Sequence, residues 1–149
     1  MSNVYFYMLI ALVAGAMMPT QAATNHKMAL VVGNPIVSAF ISFVVGTLAL
    51  LAYLLMSGVS LGSLASVREA PAIAWVGGLL GAFFVTAAVT LVPKLGVAMT
   101  FSLIIAGQMV VTLIIDHFGL LGVNVKEVSL ARIAGVILIA AGVVLIRRY

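Results

Sequence analysis

A single amide, Gln108, stands near the middle of a run of about twenty residues without a charge, inside the stretch PKLGVAMTFSLIIAGQMVVTLIIDHFG from Pro93 to Gly119. Thr112 and Asp116 follow it at four-residue steps. On an α-helix these side chains form a short polar stripe that drifts by about 40° per step, because four residues at 100° overshoot one turn. In hydrocarbon an amide has no water to satisfy it, so Gln108 needs a partner from protein or from a polar cavity. The chemistry on offer is hydrogen bonding without charge. Asp116 is followed directly by His117, and imidazole takes up and releases a proton near neutral pH. Two readings of this pair stand side by side. Either it couples proton movement to the stripe, or it ends a helix in the headgroup layer.

Those residues need elements that can hold them in a membrane, and composition says that such elements are all the chain has. Of 149 residues, 65% are hydrophobic and 7% charged, with a mean hydropathy of +1.36; a soluble domain carries roughly 25% charged residues. The expected fold class is an all-α integral membrane protein, a single transmembrane domain over 1–149 with helices at about 3–24, 36–56, 71–92, 96–118 and 130–147. Cysteine is absent, which excludes disulfides and Cys-built metal sites. No cofactor or metal is expected. The net charge of +4 fits Lys and Arg residues that anchor membrane helices. Nucleic acid is not an expected partner, since no basic cluster exceeds Arg147-Arg148.

The first span lacks the Lys/Arg region of a signal peptide and reads as a retained helix with a kink at Pro19. Gln21, Asn25 and His26 follow, either as an interfacial cap and loop or as the lining of a water-filled vestibule. Asn34-Pro35 marks a turn. In the second span Ser38, Ser42 and Gly46 share a small-residue face suited to close helix packing, with the serines able to bond across to a neighbour. Residues 57–70 read as an exposed loop or short surface helix with a solvated Arg68-Glu69 pair. Trp75, one turn into the third span, belongs to the interfacial aromatic belt or lines a cavity. Thr86 and Thr90 are expected to bond back to their own helix. The Pro93–Gly96 connection is short enough to make the third and fourth helices antiparallel neighbours. Arg132, one turn into the fifth span, is expected to snorkel to the headgroups, and Arg147-Arg148-Tyr149 to anchor the far end.

Five spans would put the two ends of the chain on opposite sides of the membrane. Lys27, Lys94, Arg147 and Arg148 then lie on one side, and Arg68, Lys126 and Arg132 on the other. Four against three is too small a bias to set one orientation. Insertion both ways would let two copies pair about an axis in the membrane plane, the symmetry of inverted-repeat transporters.

The segments Gln21-Ala-Ala-Thr-Asn25, Gly33-Asn-Pro35, Ser42-Phe-Val-Val-Gly46, Trp75-Val-Gly-Gly78, Pro93-Lys-Leu-Gly96, Gly107-Gln108, Asp116-His-Phe-Gly119 and Arg132-Ile-Ala-Gly135 run through nearly the whole chain. In that order they resemble the YdcZ-like branch of the drug/metabolite transporter superfamily, small bacterial inner-membrane proteins of five helices. The resemblance implies export of small molecules, and a ten-helix fold assembled from two five-helix halves. It assigns neither a solute nor site residues. The related small multidrug resistance proteins carry a carboxylate in the middle of their first helix for proton-coupled antiport. Here no acid lies between Val4 and Met18, and Asp116 is the intramembrane carboxylate candidate.

The expected function is therefore a secondary transporter of the bacterial inner membrane. It would export a small neutral, zwitterionic or lipophilic solute by alternating access in an antiparallel homodimer embedded in lipid. The side chains expected at the solute are Gln108, Trp75, Gln21, Asn25, Ser38 and Thr112, with Asp116 and His117 as the candidates for proton coupling. A dual-topology channel and a non-transporting assembly subunit are the competing readings. A channel would want a ring of charge that the sequence does not display; an assembly subunit would use Gln108 as a helix–helix hydrogen bond worth about 1 kcal/mol. An enzyme is not expected, as no nucleophile, ligand cluster or phosphate loop is legible.

Overall fold

The computed structural model describes residues 2–148, the side chains of Ser2 and Ser63 apart; the anchoring role expected of Tyr149 lies outside them. The described residues contain no strand. Helices α1 (Ser2–Val32), α2 (Pro35–Met56), α3 (Ala72–Leu95), α4 (Val97–Phe118) and α5 (Leu130–Arg148) are each long and apolar enough to cross a bilayer. Two 3-10 helices, Leu61–Glu69 and Leu120–Gly122, lie in the connections. The chain divides into two compact units, Met1–Pro93 and Lys94–Tyr149.

In the first unit α1 and α2 fold back on each other through Gly33 and Asn34. The sequence reading ends the first helix near Thr24, but the helix continues to Val32. At about 1.5 Å per residue its 31 residues reach about 46 Å, half as long again as a hydrocarbon core. Asn25 and His26 therefore lie within the helix and not in a loop. Polarity was the misleading signal. Gln, Ala, Met and Lys favour helix whatever their polarity, and the first true stop is Gly33 at φ +72. Asn34 then caps α2, its Oδ1 accepting from the amides of Ile36 at 2.8 Å and Val37 at 3.3 Å, and Pro35 occupies the first helical position, where no N–H is needed.

In α3 the proline does not end the helix either. Pro93 sits in its last turn, and the helix closes at Leu95. The polar segment after α2 is the nine-residue 3-10 helix Leu61–Glu69, with Arg68 and Glu69 exposed. Thr90 bonds back to the Thr86 carbonyl at 2.7 Å, as its place in a helix interior suggests.

The second unit is the α4–α5 hairpin. Arg132, expected to reach the headgroups, also has partners within the protein. Its guanidinium reaches across the hairpin to Asp116 Oδ2 at 2.7 Å and donates to the Lys126 carbonyl at 3.0 Å. The α4–α5 turn brings the Asp116 carboxylate within reach of one charge-assisted hydrogen bond from the guanidinium. The Lys126 amide returns to the Asp116 carbonyl at 2.8 Å, so the same residues close the loop through backbone and side chain.

Gly119 makes that loop possible. It ends α4 at φ +60, and a Cβ there would lie 2.7 Å from Val125 Cγ2 and 3.3 Å from the Val123 carbonyl oxygen. Both the dihedral and the clash weigh against any larger residue. Gly119→Ala is expected to destabilise the protein by about 1–2 kcal/mol, read as an earlier midpoint in detergent unfolding; an unchanged midpoint would show that the loop yields at no cost.

Few apolar side chains are enclosed: the buried ones are Ala22, Ala39, Ala88, Val89, Val92, Phe101 and Val143. Large residues such as Val31, Met56 and Leu130 are more than four-fifths exposed. In water such a surface would aggregate; in a bilayer it is the ordinary surface for lipid or for another helix.

Candidate solute-binding site

Within the spans of the first unit, polar side chains gather where α1 meets α2. Gln21 and Asn25 are four residues apart on α1 and so share a face, about 6 Å apart along the axis. Pro19, just before them, has no N–H to offer the preceding turn. Thr20 and Thr24 turn their hydroxyls onto the Ala16 and Gln21 carbonyls of their own helix, at 3.0 and 2.9 Å. They leave the amides as the side chains able to serve something else.

Ser38 on α2 is fully enclosed and donates its hydroxyl to the Asn25 carbonyl at 2.6 Å. Its hydrogen is thus committed to holding the two helices together. The side-chain nitrogen of Asn25, Nδ2, is buried and has no hydrogen-bond partner. An unsatisfied buried donor costs about 1–3 kcal/mol, and such a group is retained at sites that use it.

One turn away the helices part around a cavity of about 230 Å³ lined by Gln21, Ser42, Phe43, Gly46, Thr47 and Leu50. Sites for drug-sized ligands run from roughly 300 to 1,000 Å³, so this one suits a small solute. Its chemistry is one amide and two hydroxyls on apolar walls. The Thr47 hydroxyl is occupied by the Phe43 carbonyl at 2.8 Å, which leaves the Gln21 amide and Ser42. Phe43 also lines a second cavity, of about 240 Å³, with Ile36, Ala39, Phe40, Ala82 and Thr86, between α2 and α3. Its ring passes 3.6 Å from where a Cβ on Gly81 would sit. Phe43 thus borders both spaces.

The small-residue face of α2 thus has two uses. Its Ser38 end packs against α1, while at Gly46 an added Cβ would meet nothing within 4 Å. Sequence reasoning found Gln21, Asn25 and Ser38 but treated Ser42 and Gly46 as packing positions, and it passed over Phe43 and Thr47. A hydroxyl at position 47, one residue beyond Gly46, was the available signal. Trp75 lies apart from this cavity in the first turns of α3, 61% exposed.

In the second unit Gln108 and Thr112 are both exposed on α4. Asp116 is half-buried and engaged by Arg132, and His117 Nδ1 accepts the Val128 amide at 3.3 Å. That acceptor role requires the imidazole to carry its hydrogen on Nε2. The expected stripe is therefore divided in use: its lower end closes the hairpin, and its upper end stays open.

The family described as "Putative inner membrane exporter, YdcZ" matches residues 6–145. The chain belongs to this family. Five membrane-capable helices and no strand among the described residues agree with membership. The YdcZ-family protein is accordingly a multi-pass inner-membrane protein, and the role its family description gives is export. No curated protein and no solved structure matches the chain.

Proposed function

We propose that this YdcZ-family protein is a secondary exporter of a small neutral, zwitterionic or lipophilic solute, working by alternating access in an antiparallel homodimer. The observation that carries this reading is the exposed Gln21 amide among the mostly apolar residues that line the α1–α2 cavity. An amide both donates and accepts, so it orients a polar but uncharged group while Phe43 and Leu50 cover the apolar remainder. Asn25 Nδ2 adds a second donor one turn away. No side chain lining the cavity is charged, which speaks against a multivalent ion as cargo.

The antiparallel pair draws support from Gln108. An exposed amide in mid-span needs a partner that lipid does not supply, and a second copy in inverted orientation supplies helices at the same depth. Thr112, exposed on the same helix, would join Gln108 on that shared surface. Asp116 and His117, held to Arg132 and to the Val128 amide, would couple protons only by releasing those partners.

Orientation is tested by a single Cys placed after Tyr149, in a chain with no native cysteine. Labelling of about half the molecules by an impermeant thiol reagent in intact cells, the rest only after permeabilisation, is the expected result for dual topology. Labelling from one side alone would remove the antiparallel homodimer. Transport itself is tested by saturable counter-flow into proteoliposomes; current at channel rates in planar bilayers would overturn the alternating-access reading.

A further inference from the structure

The connection between α2 and α3 contains a sequence repeat that the transport reading leaves unused. From Ser60 it runs Ser-Leu-Gly, Ser-Leu-Ala, Ser-Val-Arg, a period of three, and the backbone over Leu61–Glu69 is a 3-10 helix of nine residues. Runs of this helix beyond about three or four residues are uncommon. With 3.0 residues per turn, side chains three apart stack in one row. Leu61, Leu64 and Val67 therefore form a single apolar row, with Gly62, Ala65 and Arg68 in a second. Ser66 and Glu69 belong to the third. In an α-helix the apolar row would swing by about 60° at each step and lose its face. Repeat and helix type match.

We propose that this 3-10 helix lies on the membrane surface, with Leu61, Leu64 and Val67 set at the boundary between lipid headgroups and acyl chains. The row is unpartnered: the three side chains are 44%, 60% and 38% exposed. Short tethers decide what covers it. Met56 ends α2 five residues before Leu61, and α3 begins at Ala72, three residues after Glu69. At about 3.5 Å per residue the two ends are held within about 17 and 10 Å of the spans. Exposed apolar residues also flank the connection on both sides, Tyr53 and Met56 before it and Ile73 and Trp75 after it. An exposed indole one turn into a span marks headgroup depth. With the apolar row directed into the bilayer, the other two rows lie about 120° to either side. Both then face headgroups and water, which suits Arg68 beside anionic lipid and Ser66 and Glu69 beside solvent. The helix would work as an amphipathic float that fixes the height and tilt of α2 and α3.

The absence of cysteine makes the test direct. Single-Cys variants Leu64→Cys, Leu61→Cys and Ser66→Cys, labelled with a nitrobenzoxadiazole fluorophore, would be placed in nanodiscs of phosphatidylethanolamine and phosphatidylglycerol. The expected result is several-fold weaker iodide quenching at 61 and 64 than at 66, together with quenching at 61 and 64 by lipids that carry a nitroxide near the headgroup. Equal iodide access at all three positions would overturn the proposal in favour of a solvated connection. Shielding at 61 and 64 without nitroxide-lipid quenching would overturn it in favour of a protein partner, a second copy included.

Discussion

Gln21→Leu leaves the protein folded and inserted but lowers saturable counter-flow in proteoliposomes about tenfold. Leucine is close to glutamine in volume, so the cavity walls keep their shape while the one unengaged amide is lost. A hydrogen bond between neutral partners contributes about 0.5–1.5 kcal/mol, and 1.4 kcal/mol is about a factor of ten. Thr47→Val is the matched control. The Thr47 hydroxyl already donates to the Phe43 carbonyl, so its removal should change uptake much less. The measurement is uptake of whichever solute the unaltered protein accumulates, alongside size-exclusion and thermal profiles that show the variant intact. Unchanged uptake in Gln21→Leu would remove the α1–α2 cavity as the binding site.

Arg132→Met is expected to destabilise the protein by about 1–2 kcal/mol. A charge-assisted hydrogen bond is worth roughly 1.5–3 kcal/mol when shielded. Here the side chains are 33% and 22% exposed, and solvent screening lowers that figure. The loss of the second bond, to the Lys126 carbonyl, partly offsets the reduction. Much of the effect comes from leaving Asp116 without its partner, so Asp116→Asn combined with Arg132→Met should recover part of the loss. A coupling of about 1 kcal/mol in a double-mutant cycle is the expected value. Unfolding in mixed detergent reads both numbers. No coupling at all would mean that the pair closes the loop without stabilising it, which would return Asp116 to the candidates for proton coupling.

Particular residues show how far the sequence carries. Hydropathy and span length determine the class, five membrane-capable helices and the order of the chain, because burying backbone in lipid leaves few alternatives to helix. Gly33, Asn34 and Pro35 declare the α1–α2 turn by local chemistry alone, and Gly119 declares the end of α4. The end of α1 was misread because polar side chains at Thr24–Lys27 looked like a loop. Helix hydrogen bonds belong to the backbone and are indifferent to that polarity until Gly33 intervenes.

The site was legible only in part. Gln21, Asn25 and Ser38 were singled out as polar residues at a membrane helix's end, yet their different uses depend on packing. Ser38 is consumed by the Asn25 carbonyl, Asn25 Nδ2 is left without a partner, and Gln21 opens onto the cavity. Arg132 was legible as a charge near a helix end, but its pairing with Asp116 appears only in the folded hairpin. The physical reason is common to all of these. A span apolar on every side has no wet and dry face, so its sequence does not encode which way it turns. Helix rotation, and with it the grouping of polar side chains, is decided by packing, as where the enclosed Ser38 ties α2 to the Asn25 carbonyl of α1.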